Sequence, residues 1–241
     1  ADGANRAASP RPGGQFMLGP MGDDDPTEDD PTLDGAYSLS GPEDNRRLYA
    51  RWAESYDADL RDGLGYVFPE AIARLFAERA GGGPLLDVGC GTGLLGEALR
   101  AEGVAGPVDG VDLSPEMLAA ARSKGLYRRL FEADLSAGPI APPADGPYSG
   151  VVSVGAFTLG ALGPSALDAI LPAAAGGADF VVGVNAKHFE AEGFAARLDA
   201  LSATGAIAKV ACVEGAIYAE DADHEHAGDR FVAACFEKSA G

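Results

Sequence analysis

The 241-residue chain predicts an α/β fold: a doubly wound, mainly parallel seven-stranded sheet ending in a C-terminal antiparallel hairpin, with helices ahead of it. Three observations carry that prediction. From Leu85 onward, short apolar runs alternate with helix-length segments. Residues 85–99, LLDVGCGTGLLGEAL, read as a strand, a glycine loop and a helix. The last two apolar runs, about 208–218 and 230–238, leave no room for a crossover helix between them, so they pair antiparallel.

Residues 1–43 are rich in Gly, Pro and Asp around GDDDPTEDDPTLDG, with few large apolar groups to offset the entropy of ordering, so they form a disordered leader. The folded domain spans 44–241. Its first part, 44–80, is helical: Leu48, Trp52 and Tyr56 recur at helical spacing over 45–60, and Pro69 starts a second helix over 70–79 that ends at Gly81. The sheet core, 85–238, follows. Strands are expected at 85–88, 107–111, 127–133, 151–154 and 180–184, before the final hairpin. Helices are expected at 93–102, 115–124, 165–175 and 194–204, the second opened by Ser114 as cap and Pro115 at its first position.

Net charge is −19, of which residues 1–44 hold −8. Both parts repel a polyanion, which makes nucleic acid a poor partner. No run reaches the ~20 apolar residues of a membrane span. Nor does a secretory pattern open the chain. Cys90, Cys212 and Cys235 read as buried free thiols of the cytoplasm or another reducing compartment, with organelle targeting left open.

The main chemical signal is Asp87-Val-Gly89-Cys90-Gly91-Thr92-Gly93 between strand and helix. Such glycines let backbone turn sharply and approach a ligand at a helix N-terminus. Gly91 to Gly96 also fits the G-x-G-x-x-G of dinucleotide binders, so a nucleotide-cofactor oxidoreductase is the rival reading. Asp87 weighs against it, because a carboxylate there opposes a pyrophosphate but favours an ammonium. Asp112, ending the second strand, is placed to accept from both ribose hydroxyls. Leu113 and Met117 offer apolar surface to a flat base, and Asp134 with Leu135 stands where an adenine amino group would be read.

These motifs, with SPEML and ADL in order, resemble those of class I S-adenosylmethionine-dependent methyltransferases, whose fold is Rossmann-like. YARWAESYDADL, GVDLSPEMLAAARSKGLYRRLFEADL and VVSVGAFTLG are similar, within that class, to the Williams-Beuren syndrome chromosomal region 27 protein-like group, and more distantly to quinone-biosynthesis methyltransferases. The likeness covers 45–238. It implies S-adenosylmethionine as cofactor, with S-adenosylhomocysteine as product, and transfer to a small-molecule acceptor by in-line displacement. It implies that Asp87 and Gly89 to Gly93 hold the methionine and ribose portions, Asp112 the ribose, Leu113 and Met117 the adenine faces, and Asp134 with the Leu135 amide its edge. Val154 and Gly155 would line the methionyl side. Phe157 and Thr158 would face the acceptor, while Tyr49, Trp52 and Tyr56 belong to a helix resembling a lid, with Tyr56 on the cofactor and Tyr49 and Trp52 on the acceptor side.

His188 stands as a candidate base or acceptor-side residue. Asp221 to His226 reads as a polar loop and not as a metal site. Where base-amine methyltransferases carry Asn/Asp-Pro-Pro-Tyr/Phe after the fourth strand, this chain has Val-Gly-Ala-Phe. A methyltransferase fold kept as a binding module is the non-catalytic alternative.

Overall fold

The computed structural model describes residues 35–36, 41–79 and 82–240. The expected leader therefore lies largely outside the described residues. Within it, Ala36 is helical and packs with Leu48, Trp52, Leu60 and Leu94.

Among the described residues, seven strands form one sheet: β1 Leu85–Val88, β2 Val108–Asp112, β3 Arg129–Glu132, β4 Tyr148–Phe157, β5 Ala174–Asn185, β6 Ile207–Ala216 and β7 Arg230–Lys238. Their order is β3-β2-β1-β4-β5-β7-β6, with β1 to β5 parallel and β7 antiparallel to both its neighbours. Winding reverses between β1 and β4, the place where an open α/β sheet leaves a crevice at its carboxyl ends. The Ser153 hydroxyl ties those two strands together, donating to the Val88 carbonyl at 2.7 Å.

Both faces of the sheet are covered, and its central strands alternate between them accordingly. On one face Phe180, Val182, Val184, Ala234 and Phe236 pack with Leu167, Ile170, Phe194 and Leu198. These partners come from α6 (Ala166–Ile170) and α8 (Phe194–Ala203). On the other face Val181, Ala233 and Cys235 meet Ile72 and Phe76 of α3 (Phe68–Ala77) and Leu95 and Leu99 of α4 (Leu94–Ala101). No helix of the described residues is long and apolar enough to cross a membrane.

The N-terminal helix differs from its expected form. It runs as α1 (Pro42–Trp52), breaks at Ala53–Ser55, and resumes as the short α2 (Tyr56–Ala58) and a π-helical turn, Asp59–Gly63. The Trp52 indole N–H donates across the break to Asp59 at 2.8 Å, so the side-chain stripe continues although the backbone does not.

Two further differences have local causes. The helix expected through Ala175 gives way after Leu171–Ala173, where Ala174 already pairs with Tyr148 as the start of β5. The segment expected as a loop after β5 is α7 (Ala186–Ala191). It is capped by Asn185, whose side-chain oxygen accepts from the Lys187 and His188 amides. Cys212, expected to be buried, is exposed on β6 because that strand is an edge, while Cys90 and Cys235 are buried.

Candidate functional site

The glycine loop exists because β1 must turn back at once into α4. Gly89, Gly91 and Gly93 take φ of 65°, 52° and 94°, the left-handed region that side chains disfavour. A Cβ on Gly89 would stand 2.3 Å from that of Ala156, so this residue type also lets the loop lie against β4. The Gly89 and Cys90 amides donate to the Val111 carbonyl at 2.8 and 3.0 Å, fixing the loop to β2.

Asp112 completes that fixing. One carboxylate oxygen accepts from the Gly91 amide at 2.8 Å and the other from the Ser114 amide at 2.9 Å. The first links Asp112 to the glycine loop. The second links it to the start of α5 (Pro115–Ser123), where the Ser114 hydroxyl accepts from the Met117 amide as expected for an N-cap. Burial raises the Asp112 pKa above the usual carboxylate value, against the pull of these backbone donors.

These elements surround a cleft of about 820 Å³. Gly89, Gly91, Asp112, Leu113, Met117, Asp134, Leu135, Val154 and Gly155 line it, with Tyr49 and Tyr56 contributed by the N-terminal helices. One oxygen of Asp134 accepts from the Ser136 amide and hydroxyl at 2.8 and 2.6 Å. Asn45, Ser136 and Leu162 join the wall, though no sequence motif marked them.

Asp87, Cys90 and Gly93 do not line this cleft; they lie beneath it. Asp87 is fully buried because β1 is buried along its whole length. The Tyr127 hydroxyl donates to one of its oxygens at 2.7 Å, and the other oxygen has no partner among the described residues. Burial pushes the Asp87 pKa up to about 7; the Tyr127 bond pulls it down and the Asp112 charge adds to the rise. Tyr127 in turn needs bare backbone opposite it, since a Cβ on Gly96 would sit 2.6 Å from its hydroxyl. Cys90 has its thiol pKa raised well above the usual value, first by burial.

A second cavity of about 540 Å³ shares Tyr49, Tyr56 and Gly155 with the first. Trp52, Phe157 and Thr158, the expected acceptor-side residues, line it. Tyr66, Phe68, Asn185 and Tyr218 also line it and were not singled out from sequence, because no periodic or motif signal brings 66–68, 185 and 218 together. The isolated bridge between Tyr66 and Tyr218 does so in space. Burial pushes the Tyr49 pKa up to about 12 and those of Tyr56 and Tyr66 well above the usual phenol value, so these hydroxyls stay protonated.

His188 reaches neither cavity. It is buried, its Nε2 is 3.0 Å from the Leu162 carbonyl, and its ring lies 5.4 Å from that of Phe194. A carbonyl only accepts, so Nε2 carries the proton and His188 anchors the turn after β4. In the loop 221–226, His224 Nε2 is 3.2 Å from the Leu64 carbonyl, and its ring meets that of Tyr218 edge-on at 4.5 Å.

The N-terminal helices are latched to the glycine loop. Asp57 accepts from the Thr92 hydroxyl and from Lys124 Nζ, both at 2.5 Å. Lys124 also pairs with Glu97 at 2.9 Å, and Glu97 pairs with Arg61. On the far side Arg46 pairs with Glu132 at 2.9 Å.

Comparison with known proteins agrees with this architecture. Residues 85–176 match the family model described as a methyltransferase domain. Methyltransferase-like protein 27 of Homo sapiens is 39% identical over 117 residues, covering 47% of this chain and 46% of the relative, so the chain spans about half the length of the curated relative it matches. A TehB-like SAM-dependent methyltransferase from Corynebacterium glutamicum superposes with a TM-score of 0.54 at 22% identity, over 79% of this chain and 98% of that one. A putative S-adenosyl-L-methionine-dependent methyltransferase from Methanococcus maripaludis gives 0.56 at 14% identity, over 80% and 94%. At these identities the structural likeness is one of fold.

Proposed function

We propose that this chain is a class I S-adenosylmethionine-dependent methyltransferase that binds its cofactor in the first cleft and methylates a small molecule held in the second cavity, a reading supported by the sheet order and by the matched methyltransferase domain. The observation that carries the reading is Asp112: a half-buried carboxylate tied by the Gly91 and Ser114 amides and lining the cleft at the sheet's crevice. The residues present fit the cofactor. Gly91 lines the cleft with bare backbone, and a Cβ there would meet no atom of the described residues within 4 Å, so the loop leaves open space for a ligand; Asp87 keeps an unpartnered buried oxygen beneath it.

In this reading Asp112 accepts from the ribose hydroxyls, Leu113 and Met117 flank the adenine, and Asp134 with the Leu135 amide binds its edge. Gly89, Gly91, Val154 and Gly155 border the methionyl portion. When bound, S-adenosylmethionine supplies a sulfonium methyl group open to in-line attack. Tyr49 and Tyr56 stand at the junction of the two cavities and exclude water there. Their protonated hydroxyls orient the acceptor and do not take its proton. Positioning in a dry pocket then accounts for much of the rate.

Calorimetric titration with S-adenosylhomocysteine tests the cofactor assignment. Asp112→Ala removes charge-assisted hydrogen bonds worth about 1.5–3 kcal/mol each, so affinity should fall at least about tenfold. Unchanged affinity, or binding of NAD(H) without S-adenosylhomocysteine, would overturn the reading. Transfer of labelled methyl to a component of a metabolite extract tests the reaction itself.

A further inference from the structure

Two groups of rings face the second cavity. Tyr49, Trp52 and Tyr56 form one, with centroids 5.0 to 6.2 Å apart. Tyr66, Phe68 and Tyr218 form the other, Tyr66 lying 6.2 Å from Phe68 and 5.9 Å from Tyr218. Gly155 marks the passage to the first cleft, where a Cβ would come within 3.4 Å of the Tyr66 hydroxyl. The polar side chains of the described lining, apart from the phenols and the indole, are the neutral Thr158 and Asn185.

We infer that this cavity takes an uncharged, flat, ring-bearing acceptor and disfavours both anionic and cationic ones. The inference rests on the methyltransferase reading, because it names the acceptor class of that same site. Rings offer large contact area and favour stacked or edge-on partners, which a flat ligand supplies from either side. An anion entering here sheds its water with no cationic side chain among the described lining to replace it, and approaches the Asp112 carboxylate of the adjoining cleft. A cation gains from ring faces and from the Asp112 charge, but it sheds its water with no carboxylate among the described lining to replace it, and it meets the like charge of a sulfonium in the next cavity. An uncharged ring suffers neither loss. The phenols, held protonated by burial, then serve as hydrogen-bonding groups that fix its orientation.

Calorimetry of the full chain, with S-adenosylmethionine present, tests this with four two-ring probes of similar size at neutral pH. These are naphthol (neutral), naphthoate (anionic), naphthylmethylammonium (cationic) and decalinol (saturated and neutral). Naphthol should bind at least about tenfold more tightly than either charged probe, and a few-fold more tightly than decalinol. Equal or tighter binding of a charged probe overturns the inference, as does failure of naphthol to bind. Thr158→Arg, on the partly exposed turn after β4, should raise naphthoate affinity about tenfold by supplying the missing counter-charge. No gain there, in a variant that still binds S-adenosylhomocysteine, means that the probes sit elsewhere and also overturns it. Titration with S-adenosylhomocysteine alone separates the two levels. If it binds and naphthol does not, the acceptor inference falls and the methyltransferase reading stands. If naphthol binds in the expected order and S-adenosylhomocysteine does not, the methyltransferase reading falls and takes the acceptor role with it.

Discussion

Replacing Asp57 with Ala should loosen the N-terminal helices from the glycine loop, and the size of the effect follows from what Asp57 touches. It accepts a hydrogen bond from Thr92 and pairs with Lys124, and its side chain is 33% exposed against 17% for Lys124. A hydrogen bond to a carboxylate is worth about 1.5–3 kcal/mol, but partial exposure puts this one at the low end. The ion pair adds about 0.2–1 kcal/mol, and Lys124 still has Glu97 after the substitution, so no unpaired charge is left behind. The sum is about 2 kcal/mol, or roughly a 30-fold shift toward the open arrangement.

Stopped-flow release of S-adenosylhomocysteine, followed by fluorescence of the chain's one tryptophan, Trp52, should quicken by up to that factor. Hydrogen exchange over residues 56–63 should rise with it. Asp57→Asn keeps a hydrogen bond to Thr92 and loses the ion pair, so its effect should be the smaller, and salt should erase much of the difference from wild type. Unchanged exchange and release in Asp57→Ala at low ionic strength would refute the latch.

Asp109, fully buried at the start of β2, is held below the usual carboxylate pKa: burial pushes it up, and the Arg128 and Arg129 guanidiniums and the Tyr148 hydroxyl more than reverse that. Asp109→Ala strands the buried Tyr148 hydroxyl, while the partly exposed Arg128 and Arg129 keep Asp145, so it should cost about 1–3 kcal/mol, roughly 5 °C in Tm, leaving S-adenosylhomocysteine affinity of the folded protein intact. The stability that Asp109 lends is present above the ordinary carboxylate pKa and lost as pH falls through its lower folded value, which acid denaturation of the variant and wild type should show. Asp87 has the opposite sign. With its folded pKa near 7 and its unfolded one ordinary, its contribution is full below the unfolded value and lost as pH rises through 7. Denaturant titration of the ligand-free chain should therefore show wild type losing up to ~1.4 kcal/mol per pH unit relative to Asp87→Asn across that window, and a pH-independent difference contradicts the buried acid.

Where a residue's role depends on near neighbours in the chain, sequence was enough to read it. Ser114 and Pro115 set the start of α5, the glycines set the loop, and the largely apolar run Leu85–Val88 set β1. Asp112 belongs with these, since its partners Gly91 and Ser114 lie on either side of one strand crossover. Asp87 was legible as an important acid but not as a buried one, because the residue that covers it, Tyr127, comes from the segment before β3. The Ala-Ala-Gly-Gly run at 174–177 carries almost no side-chain pattern, so only pairing with Tyr148 reveals it as strand. The ring-lined cavity was half legible: Trp52, Phe157 and Thr158 could be named, whereas Tyr66 and Tyr218 meet through a single backbone bridge spanning most of the domain.

The place of β7 has a consequence for how the protein is made. Residues 230–238 fill the slot between β5 and β6, hydrogen-bonding to both. While the ribosome is still translating toward residue 230, β5 is a bare sheet edge, and β6 has no strand to join. The backbone donors and acceptors of residues 179–185 are then open to water or to another nascent chain. Closing the sheet also requires contacts between residues far apart in sequence, which slows the last step of folding. Mispairing at the edge of β5 is thus the hazard of the interval between the synthesis of β5 and the docking of β7.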